Sequence, residues 1–205
     1  MQGNMTGFPM NGRNAQTVAF AMLFETGLGF VGVLIAWAGG IDLPSQLILS
    51  QEACLRGLIA SLPMIVLLVG FYESTWQPLV NLRHEVEKVV QELFAGCRWF
   101  ELALVSISAG IGEEVLFRGA LQPLAIQWST PWIGIIAVAL LFGLAHAITP
   151  AYFIAATIIG AYFGWLAWAY QDLVAPIVAH AVYDFFALLF IQFRAGRDTT
   201  LPPAT

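Results

Sequence analysis

Charge is what this sequence has least of. Only 10% of its 205 residues are Asp, Glu, Lys or Arg, while 59% are apolar; soluble domains carry about 25% charged residues. An ordinary cytosolic globule and a disordered chain are both excluded. Lys and Arg together number eight and the net charge is −5, so no basic surface exists for phosphates and no nucleic-acid partner is expected. Cysteine is nearly absent. Cys54 and Cys97 are far apart, form no CxxC or zinc-ribbon spacing, and read as buried, unpaired thiols. Internal repeats are missing. So is a His-Glu-x-x-His motif, in which two zinc-binding histidines share a helix face. What the chain does have is apolar stretches of about 20 residues that recur along its length, the mark of a polytopic membrane protein.

The runs and their breaks predict an all-α fold: a polytopic membrane helix bundle of about six transmembrane helices plus one amphipathic surface helix. Residues 1–16 are polar and read as a mobile N-terminal segment, 17–194 as a single transmembrane domain, and 195–205 as a polar C-terminal tail. Spans are expected at 17–38, 57–75, 99–126, 132–148, 151–170 and 173–193. The first exceeds the roughly 7–15-residue core of a signal peptide and is interrupted by Glu25, so it reads as an uncleaved span. Over 77–96, Leu79, Leu82, Val86, Val89, Val90 and Leu93 recur at helical spacing with charges between them. That pattern predicts an amphipathic helix on the membrane surface, or alternatively a cytosolic partner-binding helix. Six spans put both termini on one side. Arg13, Arg83, Lys88, Arg98, Arg194 and Arg197 share that side against Arg56 on the other, so both termini are expected in the cytoplasm.

Ionisable groups inside spans cost roughly 2.5–3.5 kcal/mol each on insertion scales and are functional candidates by default. Here they cluster. Gly112-Glu113-Glu114-Val115-Leu116-Phe117-Arg118-Gly119 is followed by Phe142-Gly143-Leu144-Ala145-His146 and by His180-Ala181-Val182-Tyr183-Asp184. Neighbouring helical residues point about 100° apart, so Glu113 and Glu114 face different ways. Glu114 and Arg118, four apart, can pair. Glu113 is then left to face the interior as a general base for water. His180 and Asp184 are also four apart, and the carboxylate can orient the ring. With helix ends taken as level, Glu113 and His146 both lie roughly 20 Å along their spans, but His180 only about 10 Å. A plainer reading makes Glu113, Glu114 and Arg118 a structural ion-pair network and each histidine a core residue bonded to a carbonyl. Glu25, Glu73 and Glu101 read as single carboxylates near span ends or interfaces, Glu25 fitting that description least well, and His84 as solvated.

Glu113-Glu114-x-x-x-Arg118, Phe142-x-x-x-His146 and His180-x-x-x-Asp184, in that order, resemble the three motifs of the CAAX protease and bacteriocin-processing (Abi) family of intramembrane endopeptidases. The resemblance covers about residues 97–193. It implies hydrolysis of a peptide bond at or within the membrane, by water that Glu113 activates with help from His146. It gives His180 and Asp184 the support of the oxyanion. Family members often carry Asn where Asp184 stands. Asn donates a hydrogen bond and ionised Asp does not, so Asp184 is either protonated or confined to orienting His180.

The implied substrates are prenylated C-terminal tails, leader peptides or membrane-anchored sorting signals. The expected partners are therefore a membrane-associated or lipid-modified peptide or protein and the lipid bilayer, in a bacterial-type plasma membrane. No cofactor is favoured. Zinc is the possible one, held by Glu113, His146, His180 and Asp184, although these come from three helices and Arg118 sets a positive charge beside them. Two other functions are open: a non-catalytic immunity or regulatory protein on the same fold, and an ion or proton transporter using Glu113 and Glu25. Water must reach such a site. Ser106, Ser108, Ala109, Gly110 and Gly112, and the pair Gly160 and Gly164, allow either close helix approach or a cavity.

Overall fold

The computed structural model describes residues 12–198, with side chains over 14–194. Most of the expected mobile segment and the end of the polar tail lie outside the described residues, as do the side chains of Arg13 and Arg197. All regular structure among the described residues is helical. The helices are α1 (Gly12–Ala38), α2 (Leu43–Gln46), α3 (Gln51–Glu73), α4 (Gln77–Phe94), α5 (Trp99–Glu114), α6 (Gln122–Gln127), α7 (Pro131–Ala145), α8 (Pro150–Tyr170) and α9 (Val174–Asp198). A π-helical segment, Val115–Leu121, joins α5 to α6 without a break.

Short polar side chains start these helices. Ser50, Thr130 and Thr149 precede α3, α7 and α8, and each accepts the backbone N–H three residues on, at 3.0, 3.4 and 3.1 Å. In α7 and α8 the next residue is proline, whose missing N–H costs nothing at a first helical position. Asp172 caps α9 by accepting the amides of Val174 and Ala175 at 2.8 and 3.3 Å. Pro176 thus falls in the first turn of α9, where proline is tolerated.

Four helices are long and apolar enough to cross a membrane: α1 over Asn14–Ala38, α3, α8, and α9 over Val174–Arg194. Phe20, Leu23, Phe30 and Trp37 on α1, and Ile59, Val66 and Leu67 on α3, point outward. Such a continuous apolar exterior suits lipid. The other two expected spans differ in kind. The run from Trp99 to Gln127 is divided by the π segment and carries Glu101, Glu113, Glu114 and Arg118. Helix α7 has 15 residues, about 22 Å of rise against a hydrocarbon core of about 30 Å.

Helices α5 and α9 pack along each other, with α1 on α5, α3 on α9, and α7 on α8. Close approach is built in at Gly112. A methyl group there would sit 2.1 Å from the backbone oxygen of Glu25, so α1 presses directly on the residue before Glu113. Helix α4 keeps the expected amphipathic character, burying Leu82 and Val90. Its Arg83 donates to the Tyr72 carbonyl at 2.6 Å, and its terminal carbonyl at Phe94 accepts from the Gln192 side chain. Arg83 and Arg194 both lie near the Tyr72 ring at one end of α3, whereas Arg56, at the other end, lies 4.8 Å from the Tyr170 ring.

Candidate active site

Two layers of polar side chains meet where α5 passes into the π segment. The lower layer is buried at Glu114, Arg118 and His180 and opens only at Asp184. Glu114 accepts from Arg118 Nη1 at 2.8 Å, and neither side chain has any exposed surface. The same oxygen, Glu114 Oε1, lies 2.8 Å from His180 Nδ1, and His180 Nε2 faces Asp184 Oδ2 at 3.4 Å. Arg118 also donates through Nη2 to the carbonyl of Gly160 at 2.9 Å. Its guanidinium lies 4.4 Å from the Phe142 ring centre and 5.5 Å from that of Phe163. Phe163 in turn stacks on His180 at 4.9 Å. A buried guanidinium needs an anion, a carbonyl and flat apolar faces around it, and this one has all three.

The upper layer is the pair Glu113 and His146. His146 Nε2 lies 3.6 Å from Glu113 Oε2; the histidine side chain is 28% exposed and the glutamate 10%. His146 Nδ1 meets the Phe142 carbonyl at 2.8 Å, and the ring stacks on Phe142 at 4.4 Å. One nitrogen is therefore fixed to backbone and the other aimed at the carboxylate. Glu113 Oε2 has no hydrogen-bond partner. The Glu113–His146 separation is longer than a good hydrogen bond and suits a shared water or substrate atom.

All six residues singled out from the sequence are thus brought together, and both pairs at four-residue spacing form. The depth arithmetic is corrected at two points. His146 does not lie inside a span: α7 ends at Ala145 and His146 caps it. His180 is not high in the bundle but level with Glu114. The reason is that α9 does not begin at the membrane edge. Leu173 N–H donates to the Gln46 carbonyl at 2.8 Å, and Gln46 donates to the Gly119 carbonyl at 3.3 Å, so α9 starts level with the π segment. Counting both helices from one common plane puts His180 too high.

The small-residue pair on α8 serves polar contacts. Arg118 reaches the Gly160 carbonyl, and one turn on Gln122 reaches the Gly164 carbonyl at 2.9 Å. Gln122 carries no signal in the sequence beyond lying four residues after Arg118. The zinc reading finds no ligand set: among the described residues no three His, Cys, Asp or Glu side chains are placed to hold a metal ion. Both nitrogens of His180 face carboxylates and Nδ1 of His146 meets a carbonyl.

The chain matches no curated protein and no solved structure. Residues 95–186, which contain all six site residues, match the family model described as Rce1-like, "Type II CAAX prenyl endopeptidase Rce1-like". That stretch therefore resembles a CAAX protease domain, as the three motifs imply.

Proposed function

We propose that this integral membrane protein is an intramembrane endopeptidase in which Glu113 activates water and His146 assists. One observation carries the reading: Glu113 and His146 face each other at 3.6 Å on the partly open rim of a site floored by the buried Glu114–Arg118 pair. Glu113 accepts a proton from water as the oxygen attacks the substrate carbonyl. His146, whose Nδ1–H is given to the Phe142 carbonyl, accepts from the water through Nε2 and, as the imidazolium, donates from Nε2 to the developing oxyanion. The proton on Glu113 then passes to the departing amine as the C–N bond breaks. Glu114, Arg118, His180 and Asp184 form the floor. The 3.4 Å contact between His180 and Asp184 is the looser one, and it is the one a substrate oxyanion displaces when His180 supports it. The substrate is a membrane-associated or lipid-modified peptide or protein. Arg83, Arg98 and Arg194 near one end of the bundle support cytoplasmic termini.

Glu113→Gln and His146→Ala are expected to lower turnover at least 100-fold, within the span typical of a lost general base, while the protein still inserts. The check is cleavage of a membrane-tethered substrate by purified protein in bilayers. Full turnover by Glu113→Gln sinks the mechanism.

A further inference from the structure

Glu25 is a carboxylate that this mechanism does not use. It lies on α1, outside the matched stretch 95–186. Its backbone oxygen is the surface on which Gly112 packs. Its side chain lies within electrostatic reach of Glu113, His180, Asp184 and His146, and its Oε2 is buried with no hydrogen-bond partner. Glu113, itself nine-tenths buried, has an orphan Oε2 as well.

No donor of the site serves Glu25 Oε2, although Nε of Arg118 is itself buried without a partner. Arg118 serves Glu114 and the Gly160 carbonyl. His180 is held between Glu114 and Asp184, and His146 is bonded to the Phe142 carbonyl and only faces Glu113 across 3.6 Å. Thr26, the residue after Glu25, gives its hydroxyl to the Met22 carbonyl of its own helix. Four carboxylates (Glu25, Glu113, Glu114 and Asp184) therefore share one arginine and two histidines. A buried carboxylate with no donor is costly, and either a proton or an arriving cation relieves it. An arriving membrane segment brings a cation, since lysine and arginine flank apolar runs on the cytoplasmic side and their long stems let the charged head reach past apolar surface.

We propose that Glu25 is a specificity-determining residue that receives a lysine ammonium or arginine guanidinium flanking the scissile bond of the substrate. The assignment rests on the endopeptidase reading above. It places part of the recognition surface on α1, the helix that closes the site at Gly112.

The test uses the full chain in bilayers and a set of single-span reporter proteins. The reporters carry Arg, Gln or Glu at each position flanking the apolar segment, and cleavage is read by mass spectrometry. The wild type is expected to prefer the best Arg reporter over its Gln counterpart about 10-fold or more, the size of one charge-assisted hydrogen bond. In Glu25→Gln that ratio falls toward one, and in Glu25→Lys the Glu reporter overtakes the Arg reporter. The reversal cannot come from misfolding, which lowers all reporters together. Cleavage by the wild type without charge preference, or a preference that survives Glu25→Gln, overturns the assignment while leaving the protease reading intact. No cleavage of any reporter by wild type, with Glu113→Gln indistinguishable from it, overturns both.

Discussion

At the scale of single residues, the site separates side chains that hold the bundle from side chains that face the opening. Arg118 belongs to the first group. Removing it leaves Glu114 buried with only His180 against it, and deleting one partner of a buried ion pair costs about 3–5 kcal/mol. Arg118→Ala is therefore expected to lower the thermal unfolding temperature in detergent sharply. Arg118→Lys does not restore it, because one ammonium cannot span Glu114 and the Gly160 carbonyl while lying flat among three phenylalanines. Glu113→Gln, by contrast, removes no hydrogen bond and leaves that temperature nearly unchanged. Equal destabilisation by the two substitutions contradicts the division. Glu114–Arg118 and His180–Asp184 are legible in the sequence because four-residue spacing is local. Glu114–His180 is not, because it depends on where α9 starts, and that is decided by Gln46 and Gly119 far away in the chain.

At the scale of elements, the informative contact is helix on helix at Gly112. A methyl group 2.1 Å from a backbone oxygen has no flexible side chain to displace, so the helices themselves must part. Gly112→Ala is expected to cost about 1–3 kcal/mol or more by overpacking, and to lower turnover by displacing α5, and Glu113 with it, from α1. Gly27→Ala, on the facing helix but with nothing within 4 Å, is the control. It removes a poor helix former and stabilises by up to about 1 kcal/mol. Unfolding temperatures of the two variants decide. Helix starts are readable where Ser or Thr precedes an apolar run. The π segment is not: nothing in Val115-Leu116-Phe117-Arg118-Gly119-Ala120-Leu121 distinguishes five-residue from four-residue hydrogen bonding.

At the scale of the whole molecule, composition points to a membrane protein, because so little charge cannot clothe a soluble surface, and apolar runs of about 20 residues make it helical. The number of crossings is harder. Length and apolarity mark α1, α3, α8 and α9, but α7 is short and the run from α5 to α6 is charged, since both are shaped by the site between them. The matched stretch 95–186 is also less than a working unit. Helix α1 packs along α5 and the π segment, and α3 along α9. A fragment of residues 95–198 is expected to fail to accumulate in membranes and to be digested quickly by added protease, as judged by immunoblot. A stable, cleaving fragment contradicts this.

The enclosed guanidinium of Arg118 also has a consequence for biogenesis. Its carboxylate partner is four residues away and arrives with it, so the nascent third span can enter lipid as a locally neutralised hairpin arm. Its carbonyl ligand and the second contact of its carboxylate, Gly160 and His180, are synthesised later. Until those helices dock, the newly made chain displays an incompletely solvated ion to the bilayer. Completion of the fold is thereby coupled to concealment of that ion.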